Sequence, residues 1–214
     1  MWELGVKTLA AYLLGALVGS LVLGRLRGVD IRRLGSGNAG ATNAFRTLGR
    51  WFGLAVFAID IGKGVLAVAY LPRAELPGVG IDPGLSREWL SLACALAVII
   101  GHVYPVWFGF RGGKGVATMV GVVAALDLPL LLPALGVWLL VLVLSGYVGL
   151  ASMLAGAALA GAAYLLEPKD MPLVAFLIAM ELFVIFTHRG NIARMAAGKE
   201  NRVKKLWLFR SRAA

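Results

Sequence analysis

Residues 115–166, GVATMVGVVAALDLPLLLPALGVWLLVLVLSGYVGLASMLAGAALAGAAYLL, decide the fold, because the run is apolar almost throughout and too long for one membrane crossing. Its roughly 52 residues would make a helix about 78 Å long at 1.5 Å per residue, against a hydrocarbon core about 30 Å thick. Turn residues interrupt it twice, at Asp127-Leu-Pro129 and at Ser145-Gly-Tyr-Val-Gly149. Three short passes are therefore expected, with the first break on the outer side and the second on the inner.

Four further apolar runs, residues 4–23, 51–71, 89–108 and 171–187, approach the length of about 20 residues that a spanning helix needs. With 60% hydrophobic and 15% charged residues over 214 positions and a mean hydropathy of +0.84, the chain is too apolar for an ordinary soluble domain. Glu3 precedes the first run, the arginines follow it and no small-residue cleavage site is evident, so the first helix is expected to stay in the mature protein. Cys94 stands alone inside a run and reads as a buried thiol.

The net charge of +10 does not gather on one soluble segment, which argues against nucleic acid as a partner. Instead Arg25, Arg27, Arg32, Arg33, Arg46 and Arg50 flank the first polar loop, Arg111 and Lys114 lie in a second, and Arg189, Arg194, Lys199, Arg202, Lys204, Lys205, Arg210 and Arg212 follow the last run. The intervening segments 72–88 and 167–172 carry at least as many acids as bases. Positive residues mark the cytoplasmic side, so the N-terminus is expected outside and the tail inside. An odd number of passes must then lie within 115–166. The expected fold is all-α, a polytopic membrane protein of seven transmembrane helices forming a single domain over 1–214, with its substrate loops on the cytoplasmic face.

Three polar motifs stand out from this apolar background. The first, Gly35-Ser-Gly-Asn-Ala-Gly-Ala-Thr-Asn-Ala-Phe-Arg46, combines glycines that permit close backbone approach with Ser36, Asn38, Thr42 and Asn43 as hydrogen-bonding groups and Arg46 as a cation. Gly35, Gly37 and Gly40 match a dinucleotide-binding spacing, but that fingerprint must follow a strand in a βαβ unit and here follows a membrane helix. In the second, Phe110-Arg-Gly-Gly-Lys-Gly115, Phe108 and Gly115 break the nucleotide P-loop pattern. The backbone N–H groups of Gly112, Gly113, Lys114 and Gly115 are still expected to form an anion nest, with Lys114 adding charge and the next helix its positive end. Thr118 lies just inside that helix.

The third motif is Thr187-His-Arg-Gly-Asn-Ile-Ala-Arg194, where His188 and Asn191, three apart, are expected to share a helical face. His102, before Val103-Tyr-Pro105, reads as orienting the second loop or touching ligand. Asp60 and Lys63, three apart within an apolar run, are expected to pair, either as structure or in support of an anion site. With only His102, His188 and one cysteine the chain lacks a metal-ligand cluster, and neither metal nor cofactor is expected.

These three motifs, with Gly101-His-Val-Tyr-Pro-Val-Trp-Phe-Gly before the second and Gly198-Lys-Glu200 after the third, resemble those of the bacterial acyl-phosphate:glycerol-3-phosphate acyltransferases in order and spacing over essentially the whole chain. Arg111 departs from the lysine that many members carry before Gly-Gly-Lys, which keeps the charge. The resemblance implies a multi-pass inner-membrane enzyme that moves an acyl group from acyl phosphate to the 1-hydroxyl of glycerol 3-phosphate, giving lysophosphatidic acid. Its partners would be those two substrates and membrane lipids, with no obligate protein partner. It implies catalytic roles for Ser36, Arg46, Lys114, His188 and Asn191, and substrate contacts for Gly37, Asn38, Thr42, Asn43, Arg111, Gly112, Gly113, Gly115 and Thr118. The rival from another class is an anion transporter or lipid flippase, disfavoured because the motifs avoid the mid-membrane and no inverted repeat is evident. A scaffold with a basic lipid-binding tail, anchored by Trp207 and Phe209, leaves the first loop unexplained.

Overall fold

The computed structural model describes residues 2–203 together with Trp207 and Leu208; the expected roles of Lys204, Lys205, Phe209, Arg210 and Arg212 lie outside the described residues. Its regular structure is helical, and the chain divides into two compact units, one ending at Asp127 and the other beginning at Leu128.

In the first unit, α1 (Trp2–Gly15) and α2 (Gly19–Leu26) are bent by 53°. The first apolar run is thus two helices rather than one straight helix. Glycine sets the packing of α1 on α5 (Arg87–Val103): a Cβ at Gly15 would collide with the Val98 carbonyl, and one at Gly101 with that of Tyr12. Small residues at crossings let membrane helices approach, since lipid supplies no hydrophobic drive between them. The short α3 (Ala41–Thr47) lies between α2 and α4 (Arg50–Val65), and α4 continues through a π turn, Leu66–Tyr70, and a 3-10 turn to Arg73. The 11-residue α6 (Val116–Leu126) packs on α4 where Gly64 meets the Thr118 carbonyl and Gly121 that of Ile61. Beneath the first loop, Val18, Leu21, Ile31, Ala39, Ala41, Ala44, Phe52 and Val56 form an apolar cluster. Cys94 is buried, as expected.

The second unit comprises α7 (Leu131–Ser145), α8 (Val148–Leu166), α9 (Met171–Thr187) and α10 (Arg189–Ala196), the last two bent by 52°. Breaks fall where the turn residues predicted them, at 127–130 and at Gly146, which ends α7 in the left-handed conformation with φ 74°. α7 leaves Leu132, Leu135, Leu139, Leu140 and Leu144 exposed, as suits a helix whose solvent is lipid. The last described residues cover its end: Val203 N–H donates to Gly146 O, Trp207 Nε1 to Leu144 O, and Leu208 N–H to Val143 O. These bonds serve carbonyls that the final turn of a helix cannot pair internally. In α8, Gly149 and Gly156 are packed against side chains and Gly161 is open; Gly156 faces Glu181 of α9, a carboxyl that sequence reasoning passed over.

By length and apolarity, four helices of the described residues suit a membrane span, and each bent pair brings the number up to six. α6, at 11 residues, would reach only about 16 Å, half the hydrocarbon core.

Candidate functional site

The first motif folds around Asn43, which is 1% exposed. Its Nδ2 donates to the carbonyls of Ile31 (3.3 Å), Leu34 (2.9 Å) and Asn38 (3.1 Å), and its Oδ1 accepts from Ser36 N–H (3.0 Å). Both amide protons are consumed by loop backbone. The Asn43 amide thus shapes the loop. Gly35, at φ 56°, lies so close to Asn43 Oδ1 that a Cβ would collide with it, which explains a glycine there on both conformation and space. Ser20 Oγ donates to Ala39 O at 2.6 Å and ties α2 to the loop. What the loop leaves outward is Thr42 and Arg46, both exposed and four apart on α3, with Gly37 exposed and Ser36 and Asn38 half-buried.

The second motif also departs from expectation. After α5 the chain turns through Phe110, a non-glycine residue held at φ 58°, and Phe110 N–H donates to Pro105 O at 2.9 Å. Gly112 N–H then donates to Val103 O (3.0 Å) and Gly113 N–H to His102 O (3.2 Å). These two N–H groups satisfy the terminal carbonyls of α5, so the nest expected from 112–115 does not form with them. Lys114 is half-buried and Arg111 exposed just before the first turn of α6, which Gly115 enters at φ 86°. Thr118 is fully buried in the contact of α6 with α4.

One side chain joins the two loops. Arg32 Nη1 donates to Phe108 O (2.8 Å) and Arg111 O (3.3 Å), while Nε and Nη2 grip Asp30 at 2.9 Å each. Sequence reasoning gave Arg32 no role beyond marking topology; an acid two residues before an arginine was the available signal. The Arg32 hydrogen bonds hold the Asp30 carboxyl below its ordinary value, and Asp30 in turn raises Arg32. A depressed acid contributes stability above its unfolded pKa of about 3.9 and loses it as pH falls through the folded value. The melting-temperature difference between wild type and Asp30→Asn is thus expected to be equal at pH 8 and pH 5 and to shrink only below about pH 4. The pair is one-third exposed on the Asp30 side, so its contribution should stay at about 1 kcal/mol or less. A difference that already narrows between pH 7 and 6 would refute the assignment.

The third motif lies in the second unit. His188 is buried at the bend between α9 and α10, and Nδ1 lies 2.8 Å from Val184 O. A carbonyl can only accept, so Nδ1 carries the proton and Nε2 is the basic nitrogen. Asn191 lies in the first turn of α10, which His188 opens as its N-cap, and its N–H donates to His188 O at 2.8 Å. Asn191 Nδ2 donates to Glu200 Oε1 (3.0 Å), Arg194 Nε donates to Glu200 Oε2 (2.7 Å), and the Asn191 side chain covers Gly149. Glu200, quoted within the motif but given no role there, closes this turn.

Comparison with known proteins places these motifs in a wider setting. A family model described as glycerol-3-phosphate acyltransferase matches residues 6–198. A protein named glycerol-3-phosphate acyltransferase from Synechococcus elongatus is 43% identical over 196 residues, covering 91% of this chain and 92% of its own. One of the same name from Thermosynechococcus vestitus is 40% identical over 201 residues, covering 94% and 95%. Among solved structures, the crystal structure of PlsY (YgiH), an integral membrane glycerol 3-phosphate acyltransferase, matches in its glycerol 3-phosphate form with a TM-score of 0.81 at 34% identity, covering 93% of this chain and 94% of that one. Its lysophosphatidic acid form matches with a TM-score of 0.78.

Proposed function

The chain belongs to the glycerol-3-phosphate acyltransferase family, and from that premise we infer that this integral membrane protein acylates glycerol 3-phosphate in phospholipid synthesis. The observation that carries the reading is the family match through 6–198, which includes all three motifs. Because it also runs through both compact units, it supports reading residues 1–214 as one acyltransferase domain.

The finer proposal concerns donor, position and site. Acyl phosphate is the donor and the glycerol 1-hydroxyl the acceptor: the hydroxyl oxygen bonds to the acyl carbon, the bond from that carbon to the phosphate oxygen breaks, and inorganic phosphate and lysophosphatidic acid leave. An acyl phosphate is already activated, so positioning and charge neutralisation suffice without a covalent acyl-enzyme. Arg46 and Lys114 neutralise phosphate charge, and Ser36 and Asn191 fix donor and acceptor. Gly37, Asn38, Thr42, Arg111 and Gly115 are proposed substrate contacts, whereas Gly112, Gly113, Asn43 and Thr118 act by shaping the loops and the packing around them. The proton goes to His188 Nε2 or to a phosphate oxygen of the donor. Seven passes, with the N-terminus outside and the tail in the cytoplasm, remain the proposed topology in a bacterial inner membrane, supported by the charge asymmetry of the loops. They require the short α6 to serve as a pass where the bilayer is locally thin.

The test is purified protein in detergent with acyl phosphate and glycerol 3-phosphate, following inorganic phosphate and lysophosphatidic acid, with acyl-CoA as the competing donor. Absence of phosphate release beside an active control overturns the donor assignment. His188→Ala separates the two proton routes. General-base catalysis is usually worth 10²–10⁴, so a loss in kcat of that size is expected if His188 is the base, and a loss of only about tenfold assigns the proton to phosphate.

A further inference from the structure

Beyond the third motif the chain folds back as a strap on the turn between α7 and α8. Glu200 ties its start, accepting from Asn191 Nδ2 and Arg194 Nε. Its later residues are fastened to the end of α7, where Val203 N–H, Trp207 Nε1 and Leu208 N–H donate to the carbonyls of Gly146, Leu144 and Val143. Glycine at 146 lets the strap lie this close, since a Cβ there would stand 3.2 Å from the Cβ atoms of both Arg202 and Trp207. The family match ends at residue 198, so the strap lies outside it.

Arg202 is the charged centre of the strap. Its guanidinium carbon stands over the Tyr147 ring at 4.4 Å from the centroid and over the Trp207 ring at 4.0 Å. Aromatic faces hold a cation through the ring quadrupole, and that contact uses none of the five N–H donors of the guanidinium. Arg202 is exposed and makes no hydrogen bond or ion pair among the described residues. The side chain is therefore fixed in place with its donor fork open.

The surroundings decide what that fork meets. The last turns of α7 expose Leu139, Leu140, Val143 and Leu144, and Leu208 of the strap is 65% exposed beside them. An apolar helix face of this kind has lipid as its solvent, so the end of α7 marks the membrane boundary, the level at which Trp and Tyr gather and lipid head groups lie. From residue 201 onward the sequence carries Arg202, Lys204, Lys205, Arg210 and Arg212 and no acid. Clustered bases next to a membrane span attract anionic lipid, and a planar fork matches two oxygens of one phosphate.

We propose that Arg202, held by Tyr147 and Trp207, is a docking site for the phosphate of an anionic phospholipid in the surrounding bilayer. The two rings set the depth of the cation, the fork bonds the phosphate, and Leu208 with the exposed face of α7 meets the acyl chains. The site is independent of how donor and acceptor bind during catalysis. It holds on whichever side of the membrane the α7–α8 turn lies.

Native mass spectrometry of the full chain, released from neutral detergent after incubation with equimolar phosphatidylglycerol and phosphatidylcholine, tests this. The wild type is expected to retain phosphatidylglycerol in preference. Arg202→Gln is expected to weaken that binding about fivefold, the worth of one basic residue at a membrane surface, with a melting temperature within about 3 °C of wild type. Arg73→Gln removes the same charge from the other unit, at an exposed position, and is expected to leave binding unchanged. Equal binding by wild type and Arg202→Gln overturns the proposal, and so does an equal loss in Arg73→Gln, which would make the attraction one of net charge alone. Lack of preference over phosphatidylcholine overturns the anionic assignment. Excess inorganic phosphate is expected to leave the lipid bound; displacement would make this a site for free phosphate and overturn the lipid assignment. If Arg202→Gln fails to fold, Tyr147→Leu removes one ring and keeps the charge, with a loss of about threefold expected and unchanged binding equally decisive against the site.

Discussion

Arg46→Ala is expected to raise the apparent KM for glycerol 3-phosphate by ten- to a hundredfold, or to abolish turnover, while leaving thermal stability close to wild type. Arg46 is exposed in the last turn of α3 and makes no hydrogen bond or ion pair among the described residues, so folding does not depend on its charge. Its loss at the site would remove charge-assisted bonds to phosphate, worth about 1.5–3 kcal/mol, or a factor of roughly ten to more than a hundred in kcat/KM. Arg46→Lys should recover part of this, because lysine keeps the charge but not the bidentate fork. The measurement is steady-state kinetics with glycerol 3-phosphate varied at saturating acyl phosphate. Near-normal kinetics for Arg46→Ala would remove the first loop from the site.

Asn43→Asp is expected to abolish activity more than a hundredfold by a different route. The change is nearly isosteric, yet it replaces two donors that face the carbonyls of Ile31, Leu34 and Asn38 with a carboxylate oxygen. Three acceptors would then surround a fourth in a buried position, at a cost of about 1–3 kcal/mol for each group left unsatisfied. The loop should release Ser36 and Gly35 rather than unfold the helices, since the apolar cluster beneath it does not involve the amide. Hydrogen exchange checks this directly: amides of residues 31–38 should lose protection while those of α4 and α5 keep it. Retained protection in 31–38 together with lost activity would return Asn43 to the role of substrate ligand.

Much of this molecule could be read in advance because the bilayer restricts what a chain can do. Apolar runs must become helices, since only a helix pairs its own backbone in lipid, and Asp127, Pro129 and Gly146 fall at the breaks because they resist continuing one. The bend at residues 16–18 was hidden, for no proline or polar residue marks it; it is held by Lys63, which donates to the Gly15 carbonyl, and by Asp60, which accepts the Gly19 N–H, both more than forty positions away. The same holds for the sites. Ser36, Thr42, Arg46 and Lys114 were recognisable as polar residues gathered in glycine-rich loops between apolar runs. That Asn43 and the Gly112 and Gly113 N–H groups turn inward was not, because a hydrogen-bonding group looks alike in sequence whether its partner is a substrate or its own backbone.

By itself, then, the sequence determined that the chain is helical and membrane-embedded, where its loops fall, and which residue types gather in three polar motifs, since these follow from local composition against the length scale of a bilayer. Only the tertiary structure decided which of those polar groups remain outward and which are used to hold the loops. That choice is made by contacts such as Arg32 with Phe108 and Lys63 with His102, between residues distant along the chain, whose pairing depends on how helices pack and not on any local pattern.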